Sequence, residues 1–179
     1  MFCFQCQETV KNQGCTVKGV CGKENDTAIL QDLLIFNLKG ISCLAKKGKE
    51  AGVDIKKETG LFVAKALFTT ITNVNFNNEN LYDWIRQAQN VKKELYESLA
   101  GKIGNDLPEA ATWFSDNPDE WLGKAETVGV LSTENEDVRS LRELLTLGVK
   151  GISAYADHAA VLGVEKDEIY EFILDALAS

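Results

Sequence analysis

One segment of this chain is written twice. Leu30-Gln-Asp-Leu-Leu-Ile-Phe-Asn-Leu-Lys-Gly-Ile-Ser42 returns in phase as Leu141-Arg-Glu-Leu-Leu-Thr-Leu-Gly-Val-Lys-Gly-Ile-Ser153. The match runs on from Gly52-Val53-Asp54 to Gly163-Val164-Glu165. After a one-residue shift it also takes Phe62-Val-Ala-Lys-Ala-Leu67 to Phe172-Ile-Leu-Asp-Ala-Leu177. Two amphipathic helices can resemble each other by chance. A shared Lys-Gly-Ile-Ser in phase, followed by a second helix in the same order, points instead to a duplicated helical unit. The expected fold is therefore all-α: two related helical bundles from an internal repeat, with an N-terminal cysteine-rich loop. Leu33 should superpose on Leu144 and Gly40 on Gly151, the two glycines marking equivalent close helix contacts.

The helices follow from apolar spacing. Leu30, Leu33, Leu34, Leu38, Ile41 and Leu44 share one face of a helix over about residues 27–51. Asn25, Asp26 and Thr27 are candidate N-caps, and Gly52 is a natural stop. Phe62, Val63, Ala66, Leu67 and Ile71 mark a second helix. An Asn-rich turn, Asn73 to Asn80, precedes a third with Leu81, Trp84, Ile85, Ala88, Val91 and Leu95. Gly101 to Trp113 reads as a linker, and Asn117 can cap a short helix with Pro118 in its first position. Thr133-Glu-Asn-Glu136 is a capping-box sequence opening a helix over about 138–162, and a last helix starts near Asp167. These elements divide the chain into a cysteine-rich loop (1–24), a first three-helix bundle (25–101), a linker with a short helix (102–132) and a second bundle (133–179). The second copy has no counterpart of the third helix, residues 81–99, and reads as truncated. Phe172, Ile173 and Leu177 then need cover, either from residues 113–132 or from a second chain, and the expectation is self-association.

Composition removes several function classes. The 179-residue chain is 45% hydrophobic and carries a net charge of −8. That acidity is wrong for nucleic acid, which requires a basic footprint, and for an anionic membrane surface. No uninterrupted run of about eighteen apolar residues suggests a membrane-spanning helix. Met1-Phe2-Cys3 lacks the basic start and apolar stretch of a signal peptide, so a cytoplasmic, reducing setting is expected.

Four of the five cysteines, Cys3, Cys6, Cys15 and Cys21, fall within the first 21 residues; the fifth is Cys43. In a reducing compartment such crowding reads as metal binding before disulfides. Cys3-x2-Cys6 puts two thiolates on one tight turn, with spacings of x8 to Cys15 and x5 to Cys21. Thiolates suit iron–sulfur clusters and zinc alike. Structural zinc usually pairs two short knuckles, which these spacings fit poorly, so an iron–sulfur cluster is the better reading. Spacing alone does not separate [4Fe–4S] from [2Fe–2S]. Gly14, Gly19 and Gly22 would let backbone N–H groups approach sulfur closely.

Other residues carry less. Cys43 replaces Ala154 of the second copy and reads as a small buried residue; His158, the only histidine, makes no site alone. Trp84, Trp113 and Trp121 read as core, and Lys46, Lys47 and Lys49 complement a helix C-terminus. No catalytic residue is nominated, because no serine–histidine pair, phosphate-binding glycine loop or paired-histidine motif is present.

Met1-Phe-Cys-Phe-Gln-Cys-Gln-Glu-Thr9, Gly14-Cys-Thr-Val-Lys-Gly-Val-Cys-Gly-Lys23 and Leu30-Gln-Asp-Leu-Leu34 resemble the N-terminus of the hybrid cluster protein family, also called prismane or hydroxylamine reductase. Thr133-Glu-Asn-Glu-Asp-Val-Arg-Ser-Leu-Arg-Glu-Leu-Leu145 and Tyr155-Ala-Asp-His-Ala-Ala160 are similar to that family too. The resemblance implies that Cys3, Cys6, Cys15 and Cys21 hold a simple cubane cluster. The short spacing resembles the class with [4Fe–4S], whereas a class with longer spacing can hold [2Fe–2S]. It implies an oxidoreductase parent that reduces hydroxylamine to ammonia, or a related nitrogen oxide such as nitric oxide. Its hybrid iron–sulfur–oxygen cluster would sit in later domains and not on this chain, which alone should be inactive. The partners implied are those C-terminal domains and an external electron donor. The alternative is a binding or sensing module stapled by zinc or an iron–sulfur cluster, without electron transfer.

Overall fold

A computed structural model describes residues 3–6 and 15–179. The described residues form seven α-helices, one 3-10 turn and no strand: α1 (Asn25–Glu50), α2 (Lys57–Thr69), α3 (Asn78–Ser98), α4 (Glu109–Thr112), α5 (Pro118–Ala125), the 3-10 turn (Val130–Ser132), α6 (Glu136–Val161) and α7 (Asp167–Leu177). The protein is all-α.

α1 is the central element. Its stripe of Leu30, Leu33, Leu34, Leu38, Ile41 and Leu44 is fully buried. By length and composition α1 could cross a bilayer, against the expectation from sequence, but 72% of its most apolar window is buried inside the protein. It begins after Glu24, with no side-chain cap. The expected cap Thr27 instead donates its hydroxyl to Asn78 Oδ1 at 2.7 Å, tying the start of α1 to the start of α3. α3, α4 and α5 pack on α1, so the segment expected as a linker contributes two short helices to the body. Asn117 does cap α5, accepting from the Asp119 N–H with Pro118 in the first turn. At α6 the cap is Asn135, accepting from Val138 N–H at 3.0 Å, and not the Thr133 of the expected capping box.

The second half of the chain keeps the register of the first. From Asn25 to Glu136 is 111 positions, and α1 and α6 are both 26 residues long. Both end in the same turn: Gly52 and Gly163 have φ of 76° and 77°, and Val53 N–H bonds Gly48 O as Val164 N–H bonds Ala159 O, both at 2.9 Å. Positive φ is the conformation glycine tolerates without a Cβ clash, which is why the stops were readable. The packing is reciprocal: α7 lies on α1, and α6 lies on α2. One hydrophobic core draws on α1, α2, α3, α5, α6 and α7, with Val149, Ala156, Ile173, Leu174 and Leu177 contributed by residues 133–179.

The two copies differ in what covers them. Leu30, Leu33 and Leu44 are fully buried, but their counterparts Leu141, Leu144 and Tyr155 are 67%, 70% and 80% exposed. α3 covers the first stripe; among the described residues no third helix covers the second. The cover expected over α7 is placed differently. Ile173 and Leu177 are buried because α7 packs on α1, α2 and α6, while Phe172 remains about half exposed. The uncovered apolar surface runs along α6 instead.

The glycines correct the expectation of equivalent contacts. A Cβ on Gly40 would meet Ala110 O at 2.0 Å, whereas one on Gly151 would meet nothing within 4 Å. Gly40→Ala must push α4 away from α1, a clash worth about 1–3 kcal/mol of overpacking. Gly151→Ala should be neutral or gain up to about 1 kcal/mol, because alanine is the better helix former. Urea unfolding should show a loss for Gly40→Ala and none for Gly151→Ala, and equal losses would show that the second glycine is also in close contact.

Candidate functional site

The cysteines lie on two short segments that meet. Cys3 and Cys15 face each other in an isolated antiparallel bridge. Cys15 is buried and Cys3 half-buried, while Cys6 and Cys21 lie at the surface. Cys3, Cys15, Cys21 and Cys43 stand outside any disulfide. Cys21 sits in a turn closed by Gly19 N–H to Lys23 O and Gly22 N–H to Gly19 O, both 2.8 Å. Gly22 holds φ at 92° there, and a Cβ on Gly19 would press on the Lys23 backbone at 3.0 Å.

Both segments are fastened to the helical body. Thr72, just after α2, donates its hydroxyl to Gln5 O at 2.9 Å. Lys150 of α6 reaches Gln5 Oε1 at 3.1 Å and Thr70 O at 3.2 Å. Lys23 donates to Gln31 Oε1 at 2.7 Å, and Gln31 in turn donates to Asn75 O at 3.0 Å. Lys23 and Lys150 are both buried, 1% and 5% exposed. Sequence reasoning did not single out these anchors. The available signal for Lys150 was the repeated Lys-Gly-Ile-Ser, which equates it with Lys39.

The electrostatics follow from that burial. Desolvation pushes the Cys3 thiol up, opposed by a backbone hydrogen bond from Gln5 and by the Lys23 charge. Burial raises Asp32 to about 7 against the pull of Lys150, and Glu143 adds to the rise. Lys150 is depressed to about 8 by burial, with Asp32 opposing. Lys39 is lowered by burial against the pull of Glu143. Asp32 and Lys39 of α1 therefore answer Glu143 and Lys150 of α6, repeat position for repeat position. Beside them a groove of about 570 Å³ is lined by Asp32, Lys39, Cys43, Arg142 and Glu143 among others.

The remaining candidates are structural. Cys43 is half-buried on that groove, its thiol raised by burial. His158 packs edge-on against Phe68. Trp84 packs on Phe62 and Trp113 on Phe36; Trp121 is buried on Tyr82, with Nε1 donating to Ser115 O at 2.9 Å. Lys47 and Lys49 pair with Glu50 and Glu171 near the end of α1.

Four thiols on two adjoining segments are a donor set for a sulfur-ligated iron centre or for zinc. The structure brings Cys3 and Cys15 together. Among the described residues it gathers no group of three or more His, Cys, Asp or Glu side chains tightly enough to hold a metal ion. The surroundings fit a sulfur-rich anionic group: two buried lysines lie beside Cys3, and Gln5 Nε2 is buried with no acceptor among the described residues. Residues 7–14, including the expected Gly14, lie outside the described residues.

Comparison with known proteins places the chain as a whole. The family model described as the Prismane/CO dehydrogenase family matches residues 1–179. The chain is 52% identical to a hydroxylamine reductase of Halothermothrix orenii, over all of this chain and 34% of that protein. It is 51% identical to a hydroxylamine reductase of Desulfosudis oleivorans, over all of this chain and 33% of that protein. It is 52% identical to one from Nitratidesulfovibrio vulgaris, again over all of this chain and 34% of that protein. The chain thus spans about a third of the length of these relatives, which are oxidoreductases by name. With the whole length matched and half of the residues identical, the chain belongs to the prismane/CO dehydrogenase family.

Proposed function

We propose that this chain is the electron-transfer domain of a hydroxylamine-reducing protein, with Cys3, Cys6, Cys15 and Cys21 as ligands of a [4Fe–4S] cluster. The observation that carries this reading is the Cys3–Cys15 bridge, which joins the two cysteine segments over the buried Lys23 and Lys150. When bound, the cluster supplies one electron at a time to a second centre in the rest of the parent protein. The parent reaction consumes two electrons and two protons to convert hydroxylamine to ammonia and water. This chain's residues hold and orient the ligand segments: Thr72 and Lys150 fix the Cys3–Cys6 turn, and the Gly19–Lys23 turn presents Cys21. Gln5 Nε2 has a hydrogen bond to give, and sulfur is an acceptor for it. A reducing, cytoplasmic setting keeps the thiols available.

The uncovered face of α6 is the seat proposed for the other two thirds of the parent protein. It presents the stripe that α3 covers in the first copy, and an apolar surface of that kind marks an interface.

The test is anaerobic reconstitution with iron and sulfide, followed by metal analysis and EPR of the reduced protein. About four irons and four sulfides per chain are expected, with a reversible one-electron signal, and Cys15→Ala should lose most of the iron. Tightly bound zinc with no redox signal would assign the metal-stapled binding module instead. The chain alone, supplied with reduced viologen, should not turn over hydroxylamine at an enzymatic rate. Robust turnover would overturn the division of labour between domains.

A further inference from the structure

We infer that Lys150 is a positioning residue for the N-terminal cysteine turn: it fastens the turn to the helical body through Gln5 and sets a buried positive charge beside Cys3. This rests on the cluster reading above, which it extends to a residue outside the cysteine motif.

Lys150 lies 145 residues from Gln5, so the hydrogen bond between them is made by the tertiary fold and not by local chain geometry. Its ammonium is almost fully buried, and its two partners are neutral oxygens, Gln5 Oε1 and Thr70 O. Among the described residues it makes no ion pair. A buried cation is normally matched by an anion, and one held by neutral oxygens keeps its field. Asp32 is the strongest acidic influence on it and is itself pushed toward its neutral form by burial. Cys3 is among the groups whose negative charge acts on the Lys150 ammonium.

The repeat supplies an internal control. Lys39 occupies the same position in α1, yet it lines the open groove with Arg142 and Glu143. One lysine of the duplicated pair has thus been turned to the cysteine turn, and the other has not. A four-thiolate centre becomes more negative on reduction, so a fixed cation beside it favours the reduced form. The same cation lowers the cost of keeping the ligands as thiolates.

The experiment compares the wild-type chain with Lys150→Met, Lys150→Arg and Gln5→Leu, all reconstituted anaerobically, with redox titration followed by EPR. At the wild-type midpoint potential, Lys150→Met should lower the reduced-to-oxidised ratio at least tenfold, which is 59 mV for a one-electron couple. Lys150→Arg keeps the charge and should stay within about threefold. In a second readout that needs no metal, iodoacetamide labelling of Cys3 in the apo protein should be faster in Gln5→Leu, which frees the turn and keeps the Lys150 charge. Gln5→Leu leaves α6 untouched, so it carries the anchoring test if Lys150→Met does not fold. Should wild type hold no cluster, the cluster reading fails while Cys3 labelling still reports the anchor. Should wild type hold the cluster, with Lys150→Met matching it in potential and Gln5→Leu matching it in labelling rate, the inference is overturned.

Discussion

Lys92→Ala should destabilise the fold by about 3–5 kcal/mol, among the largest losses available from one side chain. Lys92 of α3 is fully buried where α3 packs on α1. Its ammonium donates to Asn37 Oδ1 at 2.7 Å and to Ala110 O at 3.0 Å. The rings of Phe36, Trp113 and Phe114 surround it with centroids 5.9, 5.6 and 5.1 Å away, an arrangement that favours a cation. Alanine empties the space of the stem and leaves both oxygens without their donor. Methionine fills the stem's space and introduces no buried charge, so Lys92→Met should lose much less. The contrast separates the cavity from the charge, and equal losses for the two variants would refute this account.

The same lysine gives stability a pH dependence. Burial, with the Lys124 charge beside it, depresses Lys92 to about 7 from the ordinary 10.5. The unfolded chain therefore binds more protons than the folded one between those values, and stability from this group rises with pH across that window. At or below about pH 7 the cost of burying the ammonium is fully present. The stability of Lys92→Met relative to wild type should be most favourable there and should decline toward pH 10. A flat difference between the two proteins in urea unfolding from pH 6 to 9.5 would show that Lys92 titrates normally.

Self-association of the isolated chain is the second large effect. Leu141, Leu144 and Tyr155 stand exposed along α6, with Val161 and Leu162 continuing the surface at its end, 76% and 81% exposed. Burying each large apolar side chain is worth roughly 1.5–3 kcal/mol, so a few together can hold two chains. Between isolated chains, a second copy is the available cover. Light scattering at tens of micromolar should show a dimer or larger species. The double variant Leu144→Glu with Tyr155→Glu should be monomeric with unchanged helix content, because both side chains already face solvent. A wild-type chain that is strictly monomeric would remove the association.

Local features were legible to the degree that local chemistry decides them. Pro118 behind Asn117 specified the start of α5, since proline's missing N–H costs nothing in a first turn. At α6 the capping-box reading puts Thr133 at the cap, whereas Asn135, two residues later, is an equally competent one. Thr133 was drawn off to accept from Arg142 at 3.1 Å, and Asn135 capped the helix. Residues 102–132 looked like a linker because α4 is four residues long, too short for a periodic stripe. They became part of the body because Ala110 O lies against Gly40 and Trp121 fills space beside Tyr82.

What the amino-acid order determined alone was everything with a short period. Apolar spacing set the helices, glycines at 52 and 163 ended the two long ones, and the cysteine spacing marked two segments that meet at the Cys3–Cys15 bridge. The two segments of the in-phase match lie on helices of equal length, α1 and α6, each of 26 residues. Only the tertiary structure decided which copy is covered. Leu33 and Leu144 occupy the same position in the same pattern, yet one is buried and the other is 70% exposed. Burial is set by whatever packs from elsewhere in the chain, and a helix carries no record of that in its own period. The same holds for Lys39 and Lys150. Identical motifs place both on their helices, but only Lys150 has Gln5 and Thr70 within reach, because the fold alone brings residues so distant in sequence to one ammonium.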